Sequence, residues 1–186
     1  MTELVFLLEE PSATAMLEGL LPRLLPEGVT VRTIVFEGKQ DLEKRVVKRL
    51  RGYLNPDAKF VILRDKDAAD CLALKDNLRR KCIEAGRPDT LIRIACHELE
   101  SWYLADLAAV EKGLNIRGLA ESQQKQWFRS PDDLPNPVDV LQKVAPLYQK
   151  LSGSRAIGRH LNLDNDRSKS FRNFVAGVRR LMAVGE

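Results

Sequence analysis

The chain has 186 residues, of which 44% are hydrophobic and 30% charged, with a formal net charge of +4. That is an ordinary globular composition, long enough to bury a sizeable core in one domain or in one domain with an extension. No apolar run approaches the ~18 residues of a membrane span and no signal peptide precedes the first strand, while Cys71, Cys82 and Cys96 make neither a disulfide framework nor a zinc knuckle, so a cytoplasmic protein without a membrane partner is expected.

Leu4 to Leu8 is a near-continuous apolar run, as in a strand covered on both faces, and Glu9-Glu10-Pro11-Ser12 follows it directly. Pro11 and Ser12 open a helix expected to reach about Leu25, with Pro22 placed to kink or shorten it. Gly28 breaks the chain, and Val29 to Phe36 reads as a second strand from its β-branched content. Asp41 is a candidate cap for a helix through about Arg51, in which Leu42, Val46, Val47 and Leu50 form one stripe. After the Asn55-Pro56-Asp57 turn, Phe60 to Leu63 forms a third strand that stops at Asp65 and Asp67. Asp70 then caps a helix ended by Gly86-Arg87-Pro88. A fourth strand, Thr90 to Cys96, runs into His97-Glu98-Leu99-Glu100-Ser101-Trp102 and a helix expected to reach about Lys112.

Strand–helix alternation at this rhythm predicts an α/β fold with a mainly parallel four-stranded sheet and right-handed crossovers. Residues 1–112 are expected to form that domain, and residues 113–186 a helical extension packed on it. Within the extension, a short helix is expected around Ala120 to Trp127, a longer one from Val138 to Leu151, a loop or broken helix over Ser152–Gly158, and a last helix from Ser168 to Val184. Residues 151–180 hold seven Lys or Arg side chains, among them Arg167, Lys169 and Arg180, against Asp164 and Asp166. Such a surplus either favours a polyanion or simply keeps the face solvated.

In an open parallel sheet, ligands collect outside the carboxyl ends of the strands at the point where strand order reverses. With order 2-1-3-4, Glu9 lies beside Asp65 and Asp67, and Glu98 and Glu100 leave the same edge. Carboxylates crowded there either raise one another's pKa or take up a cation, and a hard divalent ion such as Mg²⁺ or Mn²⁺ suits oxygen ligands. The candidate metal ligands are therefore Glu9, Asp65, Asp67, Glu98 and Glu100. Each has a plainer reading: Asp65 and Asp67 a solvated turn, Glu98 and Glu100 first-turn acids favoured by the helix dipole. Glu10 is either a member of the cluster or a solvated neighbour, and Asp70 a helix cap. Asp106 is either near the site or the partner of a buried Arg or Lys. His97 and His160 lack ligand spacing, and Trp102 reads as core. Lys150 and Arg155 flank the small-residue stretch that would present Ser152 and Ser154 to a phosphate, with Lys150 steadying its charge.

A Glu ending the first strand and an Asp-x-Asp ending the third resemble the TOPRIM domain of topoisomerases, bacterial primases and overcoming-lysogenization-defect (OLD) nucleases. The resemblance runs through Glu9, Asp65 and Asp67, although the usual Glu-Gly of the first motif is Glu9-Glu10. More closely, Leu8-Glu-Glu-Pro-Ser12, Leu63-Arg-Asp-Lys-Asp67, the segment Cys96 to Asp106 and Ser170-Phe171 resemble the TOPRIM-like bacterial family named domain of unknown function 4276. That resemblance covers nearly the whole chain. It implies a metal-dependent nuclease-like site and an ABC/SMC-type ATPase partner in defence against phage or plasmids. A topoisomerase needs a nucleophilic Tyr on a further domain, and a primase needs further modules. Hydrolysis needs neither.

The expectation is thus a Mg²⁺- or Mn²⁺-dependent nuclease acting on DNA or RNA, with Glu9, Asp65, Asp67, Glu100 and Lys150 as its catalytic residues. One alternative is a non-catalytic metal-binding partner of the ATPase. Another is a phosphoreceiver, which lacks support because the fourth strand ends in Cys96-His97 and no fifth strand carries a Lys.

Overall fold

A computed structural model describes residues 2–183. Its strands are β1 (Glu3–Leu8), β2 (Thr30–Val35), β3 (Lys59–Asp65) and β4 (Leu91–Ala95), all parallel in the order β2-β1-β3-β4. The helices are α1 (Pro11–Leu24), α2 (Lys39–Arg51), α3 (Cys71–Glu84), α4 (Glu100–Leu104), α5 (Leu107–Leu114), α6 (Pro137–Val144), α7 (Lys150–Gly158) and α8 (Lys169–Ala183). The expected α/β class and strand order are both present. Among the described residues no helix is long and apolar enough to cross a membrane.

Strand side chains alternate between the two faces of the sheet, and this parity organises the core. Leu4, Phe6, Leu8, Val61 and Leu63 point to a layer that also holds Met16, Trp102, Tyr103, Ile157 and Phe174, from α1, α4, α7 and α8. Val5, Leu7, Phe60 and Ile62 point to the opposite layer, with Leu42, Val46, Leu74 and Leu78 of α2 and α3. β1 and β3 are central and buried, whereas β2 at the edge is largely exposed.

Several boundaries differ from those expected. α1 runs past Pro22 and ends at Leu24. Asp41 does not start α2: it sits in the first turn and accepts the Glu37 N–H at 3.1 Å. The helix expected through Lys112 is broken at Asp106, whose carboxylate caps α5 through the Ala109 N–H at 3.1 Å and accepts the Asn162 N–H at 2.7 Å. Asp106 therefore answers two backbone amides, not a buried Arg or Lys. The short helix expected around Ala120 is two 3-10 turns, Ala120–Gln124 and Gln126–Phe128. The helix expected over Val138–Leu151 ends at Val144, and Ser152–Gly158 is helical as part of α7. The last helix runs Lys169–Ala183, and Val184, its expected end, lies outside the described residues.

The small residues of α7 serve packing. A Cβ on Gly19 of α1 would stand 2.5 Å from Arg159 N, and one on Gly158 would strike the Met16 carbonyl, so the two helix backbones touch where glycines meet. Gly153 likewise leaves room for the Tyr148 ring. These approaches fix α7 against α1, and with it Lys150 at the N-terminus of α7.

Candidate functional site

β3 delivers the first acid. Asp65 follows Val61 and Leu63 in parity, so it points to the layer that contains α4 and α7. Arg64 points the other way and pairs with Glu43 of α2. Glu9, one residue beyond β1, accepts the Asp65 N–H at 3.4 Å and lies 3.8 Å from Arg64 Nε. Glu100 opens α4 and is fully buried. Its Oε1 accepts a hydrogen bond from Tyr148 Oη at 2.8 Å, and its Oε2 is buried with no hydrogen-bond partner among the described residues. Lys150 donates to Glu10 Oε2 at 2.7 Å.

The electrostatics mark these groups as one cluster. Burial pushes the Asp65 carboxyl well above the usual range, and the negative charges of Glu100, Glu9 and Glu10 push it further, against the pull of Lys150. Burial likewise raises Glu9, with Asp67 adding to it and Arg64 opposing. Burial raises Glu100 despite the Tyr148 hydrogen bond and Lys150. Lys150 is itself raised, because Glu10, Glu100 and Asp65 outweigh its partial burial. Asp65 thus lies within electrostatic reach of Glu9, Glu10, Glu100 and Lys150, and Glu100 and Lys150 within reach of each other.

The other expected members each have a partner of their own, although the charge of Asp67 reaches Glu9 and that of Glu98 reaches Glu100. Asp67 has a left-handed backbone (φ 52°) and pairs with Lys39 at 2.8 Å. Since β3 ends at Asp65, strand parity no longer governs Asp67, which meets Lys39 while its charge still reaches Glu9. Glu98 accepts the Val138 N–H at 3.3 Å, at the start of α6. Asp70 caps α3 through the Ala73 N–H at 2.8 Å. Arg155 pairs with Glu18 at 3.0 Å, since five residues beyond Lys150 a helix has turned to a different side. Ser154 is buried and lies 3.3 Å from Tyr148 Oη, so it does not reach a phosphate, while Ser152 is exposed.

Sequence reasoning missed Tyr148. Its hydroxyl links Glu100 to Ser154, across 48 residues in one direction and 6 in the other. No local motif marks it. Trp102 is core as expected, with Nε1 donating to Ser170 Oγ at 2.8 Å, which explains why the Trp and Ser-Phe motifs occur together.

Whether the cluster suits a metal depends on its donors. Three carboxylates with raised pKa and one unpartnered buried oxygen are the chemistry of a hard-cation site. As they lie, no three His, Cys, Asp or Glu side chains among the described residues are close enough together to hold one ion. The donor set fits, and side-chain rotation would have to complete it.

Fold and site together define an α/β protein with an acidic cluster at the carboxyl edge of a parallel sheet. The chain belongs to the family described as Domain of unknown function (DUF4276), whose model matches residues 8–179. None of the curated proteins compared with the chain matches it. Among solved structures, the chain is similar to the C-terminal region of the Xanthomonas campestris pv. campestris OLD protein, at 17% identity and a TM-score of 0.49, over 99% of this chain and 97% of that one.

Proposed function

We propose that the protein is a Mg²⁺- or Mn²⁺-dependent nuclease with a TOPRIM-like site, working with an ABC/SMC-type ATPase in anti-phage defence. The observation that carries the hydrolytic reading is the buried Glu100, with an unpartnered oxygen, in electrostatic contact with Asp65 and on through it to Glu9. Three acids from three separate elements are held there at a cost in repulsion that a divalent cation would relieve. The TOPRIM resemblance of Glu9, Asp65 and Asp67 supports the same reading, as does the ATPase association that the family resemblance implies.

Glu9, Asp65 and Glu100 would hold the ion, which supplies Lewis-acid polarisation of a phosphate oxygen when bound. Lys150 stands beside the cluster to steady the charge that builds on the phosphate as water attacks phosphorus and the ester oxygen leaves. Asp67 and Glu98, each with one oxygen engaged by Lys39 or the Val138 amide, would add to the set only through the other oxygen or by releasing that partner.

Purified protein with Mg²⁺ or Mn²⁺ should cut at least one of plasmid DNA, linear DNA and RNA, and Asp65→Ala should abolish the cut. Full activity in Asp65→Ala and Glu9→Ala would overturn the assignment. A second reading, a non-catalytic partner subunit, draws on the pairing of Asp67 with Lys39 and Glu10 with Lys150, which leaves part of the rim already neutralised. Co-purification with the ATPase, without metal-dependent cutting in its presence, would select that reading.

A further inference from the structure

The last third of the chain is rich in cations, of which the acidic site uses only Lys150. Three others, Arg167, Lys169 and Arg180, line one cavity of about 730 Å³ together with Lys66, Lys75 and Arg93. The cavity runs beside β4, the edge strand of the sheet, between α3 and α8. Among the described residues its acids are Asp132 and Asp133. Asp132 is already engaged by the Ser168 hydroxyl at 2.6 Å and the Ser170 N–H at 2.9 Å. Among the described residues, none of the six cations forms an ion pair with a carboxylate.

Arg93 is the built part of this wall. Its Nε donates to the Asn173 carbonyl and its Nη1 to the Ile92 carbonyl, both at 2.8 Å. Gly177 of α8 leaves the space for its guanidinium, since a Cβ there would strike it. Partial burial and the like charge of Arg180 hold the Arg93 pKa down. A guanidinium stays charged regardless, so two like charges face one cavity with no acid assigned to either. That imbalance asks for an external anion. The volume falls in the ~300–1,000 Å³ range of ligand sites and exceeds what a lone ion needs. Among the described residues no Phe, Tyr or Trp lines it, so it offers charge and hydrogen bonds without a surface on which bases stack. The loops after β3 and β4 join the two places: Lys66 and His97 line the cavity, while Asp65, the last residue of β3, and Glu100, the first of α4, bound those loops and belong to the acid cluster.

We propose that this cavity is a phosphate-backbone groove that holds a nucleic-acid strand, without base readout, beside the acidic site. The choice of polyanion rests on the nuclease reading above; the groove itself rests on its own charges.

Binding is measured by fluorescence anisotropy with labelled duplex DNA, single-stranded DNA and RNA in EDTA, so that no cutting is required. The wild type should bind at least one of them, more weakly as salt rises. The Lys75→Glu, Arg180→Glu variant should bind at least ~10-fold more weakly, with a log–log salt slope shallower by about 2. The milder Lys75→Gln, Arg180→Gln variant should lose affinity in the same direction, which guards against misfolding. The same charge change on α2, Lys48→Glu with Arg49→Glu, should stay within about 2-fold. No binding by the wild type at low salt, wild-type binding by the groove variants, or equal loss in the α2 variant overturns the groove. So does displacement by inorganic phosphate at the same phosphate concentration as unlabelled polymer, which would mark a small-anion site. Binding as expected without cutting by any metal would sink the nuclease reading and leave the groove standing. Cutting that needs Asp65, with binding indifferent to the groove, would do the reverse.

Discussion

Tyr148→Phe deletes one hydroxyl and little else. The ring stays packed against Tyr103, with centroids 6.1 Å apart, and against Gly153. What disappears is the 2.8 Å hydrogen bond to Glu100, whose second oxygen already lacks a partner, and with it the longer 3.3 Å contact to Ser154. A hydrogen bond to a buried charged group contributes about 1.5–3 kcal/mol. For a chain of this size each kcal/mol moves Tm by about 2–4 °C, so the metal-free variant should melt roughly 3–12 °C below the wild type at pH 7. The loss has a pH signature. Burial raises the Glu100 carboxyl and the Tyr148 hydrogen bond is the largest effect opposing it, so the variant raises Glu100 further. As pH falls toward the ordinary carboxylate range, Glu100, raised in both proteins, takes up its proton early, and what is then at stake moves toward a neutral hydrogen bond of about 1 kcal/mol. Calorimetry in EDTA at pH 7 and toward that range should therefore show a smaller difference in acid. Tyr53→Phe, which also removes a hydrogen bond to a carboxylate (Glu3, 2.9 Å), is the control, and its effect should vary less over this range because Glu3 is lowered, chiefly by Asn55 and Tyr53. An unchanged Tm in Tyr148→Phe, or a loss independent of pH, would refute the argument.

Two further outcomes are expected. Glu9, Asp65 and Glu100 are all raised in the folded protein, so their favourable contribution is complete below the ordinary carboxylate range and is lost as pH rises through their folded values. Metal-free Asp65→Asn should accordingly gain Tm over the wild type progressively as pH rises from about 4 to 7, and Mn²⁺ should close the gap by stabilising the wild type alone; a thermal-melt series in which the gap is flat or reversed contradicts the clustering. Gly158→Ala puts a methyl against the Met16 carbonyl, so it should cost about 1–3 kcal/mol and displace α7. The measurable result is a lower Tm together with reduced cutting, because Lys150 moves with the helix.

Much of the fold was legible locally. Apolar runs such as Leu4–Leu8 and Phe60–Leu63 are strands covered on both faces, and their alternation with amphipathic helices leaves few topologies for a parallel sheet. Asp70 acts as the cap its position suggests, because capping involves a backbone amide only three residues away. Errors came where a local signal competes with a distant partner. Ser152–Gly158 has the composition of a loop and is a helix, because its glycines meet α1 and Tyr148 rather than solvent.

The acids at the ends of β1 and β3 were therefore identifiable from the chain alone, since the end of an apolar run is a local event and strand order then follows from connection rules. Which of them converge was decided only in three dimensions. Strand parity turns Asp65 toward α4 and Arg64 toward α2, a left-handed residue sends Asp67 to Lys39, and the turn of a helix separates Arg155 from Lys150. Tyr148 meets Glu100, and Arg93 meets Gly177, through contacts between segments 48 and 84 residues apart, and side-chain direction at such distances is set by packing, not by neighbours in the chain.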